Sequence, residues 1–164
     1  YQQQLQLTEN SQKAEAIKQL GRAYTFAKQY DNAIKLYQEQ LTLAKTNKDT
    51  YTQGIALNNL AFVHFQSNNL TQAQTTLQES IKNWISLRLD LGNTIDYAVE
   101  QANTYRLLQQ ILIAQNQPEA ALEIAEQGSI MAFLQLMGMR LDSEPKDNNL
   151  KFLKKKNQIF QIDN

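Results

Sequence analysis

A leucine is followed thirteen residues later by an alanine three times in this chain, at Leu20 and Ala33, Leu60 and Ala73, and Leu108 and Ala121. The surroundings match as well. Each leucine lies in a run whose apolar residues recur at steps of three and four, the period of a helix with one buried face. Each alanine opens a second such run after a short polar break: Lys28 to Asp31, Ser67 to Asn69, and Asn116 to Pro118. The pattern spells helix, tight turn, helix, then begins again after 40 residues and once more after 48. A helix pair cannot bury its apolar face alone, so the units must stack, and an all-α solenoid of about three helix pairs is expected.

In the first unit Ile17, Leu20, Tyr24 and Ala27 form one stripe, and Ala33, Tyr37, Leu41 and Ala44 the next. The second unit has Leu57, Leu60, His64 and Ser67, then Ala73, Leu77, Ile81, Trp84 and Leu87. The third has Tyr105, Leu108 and Leu112, then Ala121 and Ala125. The spacing predicts helices over 11–28, 31–46, 51–67, 70–89, 94–115 and a long final one over 118–140. The units then span 11–46, 51–89 and 94–141. Asn69 and Asn93 or Thr94 are expected N-caps, and Pro118 suits a first helical turn. Residues 1–10 read as the end of a preceding repeat, because Tyr1 to Thr8 resembles Tyr37 to Ala44. After Leu141 the period stops, and 142–164 reads as a tail or the start of a linker to a downstream domain. Ile130 to Met139 is apolar on nearly every side, so Met131, Phe133, Leu134 and Met137 are expected to be covered by the 150–160 tail, a second copy or a further domain.

Charge and composition narrow the function. With 16 basic and 16 acidic side chains the chain has no global excess of cations to neutralise phosphates, so no nucleic-acid partner is expected. No apolar run approaches the ~20 residues of a membrane span. No basic-then-apolar leader opens the sequence, and a cytoplasmic setting is expected. Cysteine is absent, which removes thiolate nucleophiles and thiolate metal sites together. The single histidine, His64, sits in the helical stripe, where packing accounts for it better than catalysis. Gly21 reads as a close-packing position between paired helices, and Trp84 as core. No catalytic residue, cofactor or metal is expected.

The residues resemble the tetratricopeptide repeat in a variant of about 40 residues. Its first helix carries a large apolar residue, then leucine with glycine or alanine, then an aromatic; its second carries alanine and a large residue four later. Ile17, Leu20-Gly21, Tyr24, Ala33 and Tyr37 match, as do Leu57, Leu60-Ala61, Ala73 and Leu77, with His64 in the aromatic slot. In the third unit Gln109 replaces the small residue and Ala125 the large one. The resemblance implies a right-handed superhelix whose concave groove binds a protein segment.

A narrower resemblance covers 77–141, through Leu77 to Trp84, Thr104 to Gln110, Ala121 to Gly128 and Ala132 to Leu136. These stretches look like bacterial proteins of the CHAT class, where such repeats precede a caspase-like peptidase domain. Ser129 stands where that class usually has a basic residue.

Some tetratricopeptide domains hold a peptide carboxylate in a clamp of Lys and Asn residues. Lys18 and Asn59 fall on matching positions, whereas Arg22, Asn103 and Leu107 depart from the pattern. The groove expected here is lined by Lys18, Arg22, Asn58, Asn59, Phe62, Phe65, Arg106 and Gln110. It is polar and mildly basic, suited to a protein or peptide partner of acidic character. The alternative is a structural spacer, or self-association through helix 118–140.

Overall fold

The structure, a computed structural model, describes the backbone of residues 2–91 and 95–136, with side chains at 12–13, 15–87 and 98–132. Among these residues there are six helices and no strand: α1 (Gln2–Phe26), α2 (Tyr30–Thr46), α3 (Thr50–Gln66), α4 (Leu70–Leu91), α5 (Ile95–Ala114) and α6 (Pro118–Leu136). The predicted extension of the last helix to 140, and the 142–164 segment, lie outside the described residues. The first helix does not begin at residue 11 as expected. It is unbroken from Gln2, because residues 2–10 contain neither proline nor glycine to end it.

The turn inside each unit is the same device. Lys28, Asn68 and Asn116 take φ of 57°, 63° and 60°, the left-handed conformation that ends a helix. The next residue's N–H then reaches back five residues, Gln29 to Tyr24, Asn69 to His64 and Gln117 to Leu112, at 2.8–2.9 Å. These are Schellman closures. They fix the thirteen-residue spacing, because the left-handed residue follows the leucine by eight and precedes the alanine by five. Between the first two units Lys48 closes α2 in the same way, and Asp49 caps α3 by accepting from the Thr52 N–H at 3.0 Å. Asn69 takes the N-cap position before Leu70, its carbonyl accepting from the Ala73 N–H at 3.0 Å, while its side-chain amide donates to Ser67 Oγ at 3.1 Å. Asn93 and Thr94 lie outside the described residues.

The three alanines are buried, at 0%, 0% and 3% exposure, where the paired helices cross. Leu60 packs with Ala33, Tyr37 and Val63, and so against the first unit. Leu108 packs with Ala61, Ala73 and Leu77, and so against the second. Each repeat leucine therefore faces backward along the stack. Leu20 has no described unit behind it and is 46% exposed, although the stripe predicts it buried.

Among the described residues the backbones of α1 and α3, and of α3 and α5, approach one another, whereas those of α2, α4 and α6 do not. Lys45 and Glu79 bridge α2 and α4 only through their side chains, at 3.3 Å. A stack whose first helices lie closer together curves toward them, so α1, α3 and α5 form the inner layer.

Candidate functional site

The expected groove residues lie on the three inner helices. On α1, Arg22 is exposed and Lys18 half-buried, with the Glu15 carboxylate 3.8 Å from its ammonium. Tyr37 of α2 holds this helix from behind, its hydroxyl donating to the Lys18 carbonyl at 3.2 Å. Burial pushes that phenol up to about 12, against the opposing pull of the Arg22 charge, so it stays a donor. On α5, Arg106 and Gln110 are exposed, and an Arg106 Nη1–H donates to Asn103 Oδ1 at 3.1 Å. Phe62 of α3 is half-buried between these two polar helices in register.

Asn58 is engaged differently. Its Oδ1 lies 2.8 Å from the hydroxyls of both Ser80 and Thr104, and its amide donates to the Glu100 carbonyl at 3.4 Å. Thr104 Oγ1 in turn accepts from Trp84 Nε1 at 2.9 Å. Thr104 has one proton, shared between Asn58 Oδ1 and the Glu100 carbonyl 2.8 Å away. This network joins α3, α4 and α5 and lets the indole of Trp84 be fully buried with its N–H satisfied. The side chain of Asn58 is thus engaged internally, with its oxygen already facing two donors.

Phe65 is also turned inward, packing half-buried against the core formed by Ala61, Leu77, Leu108 and Ile111. Asn59 is half-buried, and its Nδ2 finds no acceptor among the described residues. The face that remains open carries Lys18, Arg22, Phe62, Arg106 and Gln110.

Two further exposed apolar residues were absent from the expected groove: Phe26, four residues after Arg22, and Ile113, three after Gln110; they are not equivalent in the repeat, Phe26 matching Gln66 and Ala114, and Ile113 matching Thr25 and Phe65. The i, i+4 and i, i+3 spacing could have found them. A cleft of about 110 Å³ opens where α1, α2 and α3 meet, lined by Ile17, Gln40, Leu43 and Asp49 among others, but none of the groove residues lines it.

His64 is half-buried in its helical stripe, and burial lowers its pKa, so it is held neutral. Gly21 and Gly54 carry the rings of Tyr37 and Trp84 directly against the helix backbone.

The family model of the tetratricopeptide repeat matches residues 12–86. The fold is a tetratricopeptide-repeat solenoid. The match runs from the middle of α1 through most of α4, and the leucine–alanine spacing recurs in α5 and α6. No curated protein and no solved structure matches the chain. Tetratricopeptide repeats generally mediate protein–protein interaction, and the fold is typically non-catalytic. Among the described residues no helix is long and apolar enough to cross a membrane.

Proposed function

We infer that this chain is a protein-interaction module that binds a partner segment along the inner face of α1, α3 and α5. The observation that carries the reading is the exposed pair Arg22 and Arg106, on helices one unit apart from the central α3, beside Lys18 and Gln110. Among the described residues the one carboxylate in ion-pair range of these cations is Glu15, opposite Lys18. Cations that the fold leaves unpaired favour an acidic partner, and helices held by a packed core fix their backbone, so that only the side chains pay an ordering cost at binding.

The resemblance of 77–141 to CHAT-class proteins supports a further step. The module would then be the regulatory or targeting region of a larger protein that carries a peptidase domain. This step rests on sequence resemblance.

A second reading, association of copies end to end, draws on the exposed Leu20, whose equivalents Leu60 and Leu108 are buried by a neighbouring unit. Helix 118–140 would offer the other surface.

Amide hydrogen exchange separates the readings. With a saturating acidic peptide selected against the whole chain, slowed exchange along α1, α3 and α5 supports the groove. Protection confined to α2, α4 and α6 contradicts it. Protection of α1 and α6 that grows with protein concentration alone supports self-association.

A further inference from the structure

Two apolar residues of the last unit are exposed where their counterparts in earlier units are covered. Ile113 of α5 is 59% exposed and Leu122 of α6 66%. Ile113 matches Thr25, which is buried, and Phe65, which packs against the cluster containing Leu108 and Ile111 of the following unit. Leu122 matches Gln74, which is half-buried, and Ile34, which packs against the cluster containing Leu60 and Val63 of the following unit. The side of α5 and α6 that would meet a next unit is thus an apolar seam, and among the described residues nothing covers it. Around Leu122 the seam is acidic. Glu119 stands three residues before it, Glu126 four after and Glu123 beside it, so the four share one face of α6. All three carboxylates are exposed, α6 contains no Lys or Arg, and among the described residues none of the three is in an ion pair.

We propose that residues 151–160 of this chain close the seam as a basic amphipathic helix laid across Ile113 and Leu122. Phe152, Leu153, Ile159 and Phe160 recur at i, i+1, i+7 and i+8, one face of a helix, and Lys156 falls between the two pairs. Lys151, Lys154, Lys155 and Lys156 have no acidic residue among them from Leu150 to Gln161. An apolar face with a lysine at its centre complements a leucine set among glutamates, because apolar atoms bury one another while each charge meets its opposite. Residues 137–150 can span up to about 45 Å when extended, more than the roughly 28 Å length of α6, so the segment can return along that helix. A second copy fits the seam less well. Inside the stack Lys45 and Glu79 bridge α2 and α4, whereas a copy stacked end to end would bring Phe133 and Glu39 to those positions, and no such bridge forms. The docked segment occupies the surface that end-to-end association would use and leaves the inner face of α1, α3 and α5 free, so it stands independently of the groove reading.

The test is amide hydrogen exchange on the whole chain at low salt. In the wild type the amides of 151–160 should exchange about tenfold more slowly than in a synthetic peptide of the same residues. Lys154→Glu, Lys155→Glu and Lys156→Glu combined should remove that protection. Glu119→Lys, Glu123→Lys and Glu126→Lys added to this triple variant should restore it, with exchange in α3 unchanged throughout as the sign that the solenoid is intact. Ile113→Ser with Leu122→Ser should also release the segment; both positions are exposed, so the fold is not at stake. Exchange of 151–160 at the free-peptide rate in the wild type overturns the proposal, as does protection that survives the lysine reversals. Failure of the reversed glutamates to restore protection places the partner of the lysines elsewhere and overturns it too. Protection that rises with protein concentration assigns the seam to a second copy instead.

Discussion

The phenol of Tyr37 lies against the backbone of Gly21 so closely that a Cβ on Gly21 would meet two ring carbons and the hydroxyl oxygen at under 3.0 Å. The equivalent pair in the second unit is Ala61 with Leu77, both buried in one cluster, and in the third Gln109 with Ala125. As the first-helix residue grows from glycine to alanine to glutamine, its second-helix counterpart shrinks from tyrosine to leucine to alanine. The departure of the third unit from the repeat pattern follows the same inverse trend in size at these two positions.

Gly21→Ala tests this trend. An alanine in a helix interior ordinarily gains ~1 kcal/mol over glycine. Overpacking against a buried ring costs ~1–3 kcal/mol. The clash should win, giving a net loss in urea unfolding, and Tyr37→Leu added to it should recover stability by recreating the Ala61–Leu77 pair. A simple sum of the two single losses would show that the residues are not coupled.

The repeat leucines should differ despite their identical sequence context. Leu60→Ala should cost ~2–5 kcal/mol, because Leu60 is 5% exposed and fills the seam between units. Leu20→Ala should cost less than about 1 kcal/mol in the same measurement, being 46% exposed. Equal losses would mean that the backward face of α1 is covered.

Sequence periodicity located all six helices and both halves of each unit, because helix period and turn chemistry are local. It also placed Trp84 in the core and His64 among packing residues. The burial of Leu20 was not legible, since its cover depends on a neighbouring unit rather than on its own stripe. The site was harder still. Lys18, Arg22, Phe62, Arg106 and Gln110 are where the helical register puts them, but the register cannot tell that Asn58 has hydrogen-bonding partners on α4 and α5. Nor does the leucine–alanine pattern point to Phe26 and Ile113, which take no part in it.

The hydroxyl of Thr104 accepts from Trp84 and links Asn58 to α5. Thr104→Val keeps the shape and removes the hydroxyl that accepts from the buried indole N–H. A loss of about 1–3 kcal/mol is expected, read by chemical unfolding followed through tryptophan fluorescence. An unchanged midpoint would mean that water replaces the hydroxyl.

His64 gives a pH dependence of known sign. Burial lowers its folded pKa, so the unfolded chain binds the proton more readily. Stability attributable to His64 is therefore complete above its unfolded pKa near 6.5 and falls as pH drops through that value toward the lowered folded one. His64→Phe should lose less stability than the wild type between neutral and mildly acidic pH. Parallel pH profiles for the two proteins would remove His64 as the cause.

The most direct test of groove binding is the affinity of an acidic peptide, selected from a random library on the wild-type chain, for Lys18→Ala with Arg22→Ala. Loss of the two charges should weaken binding by ~1–3 kcal/mol at low salt. The melting temperature should stay nearly unchanged, because Arg22 is exposed and Lys18 makes only a long pair with Glu15. The affinity gap should narrow as added salt screens the wild type. Selected peptides that bind the double variant as tightly as the wild type, at every salt concentration, would contradict the account and place the interaction on another face of the solenoid.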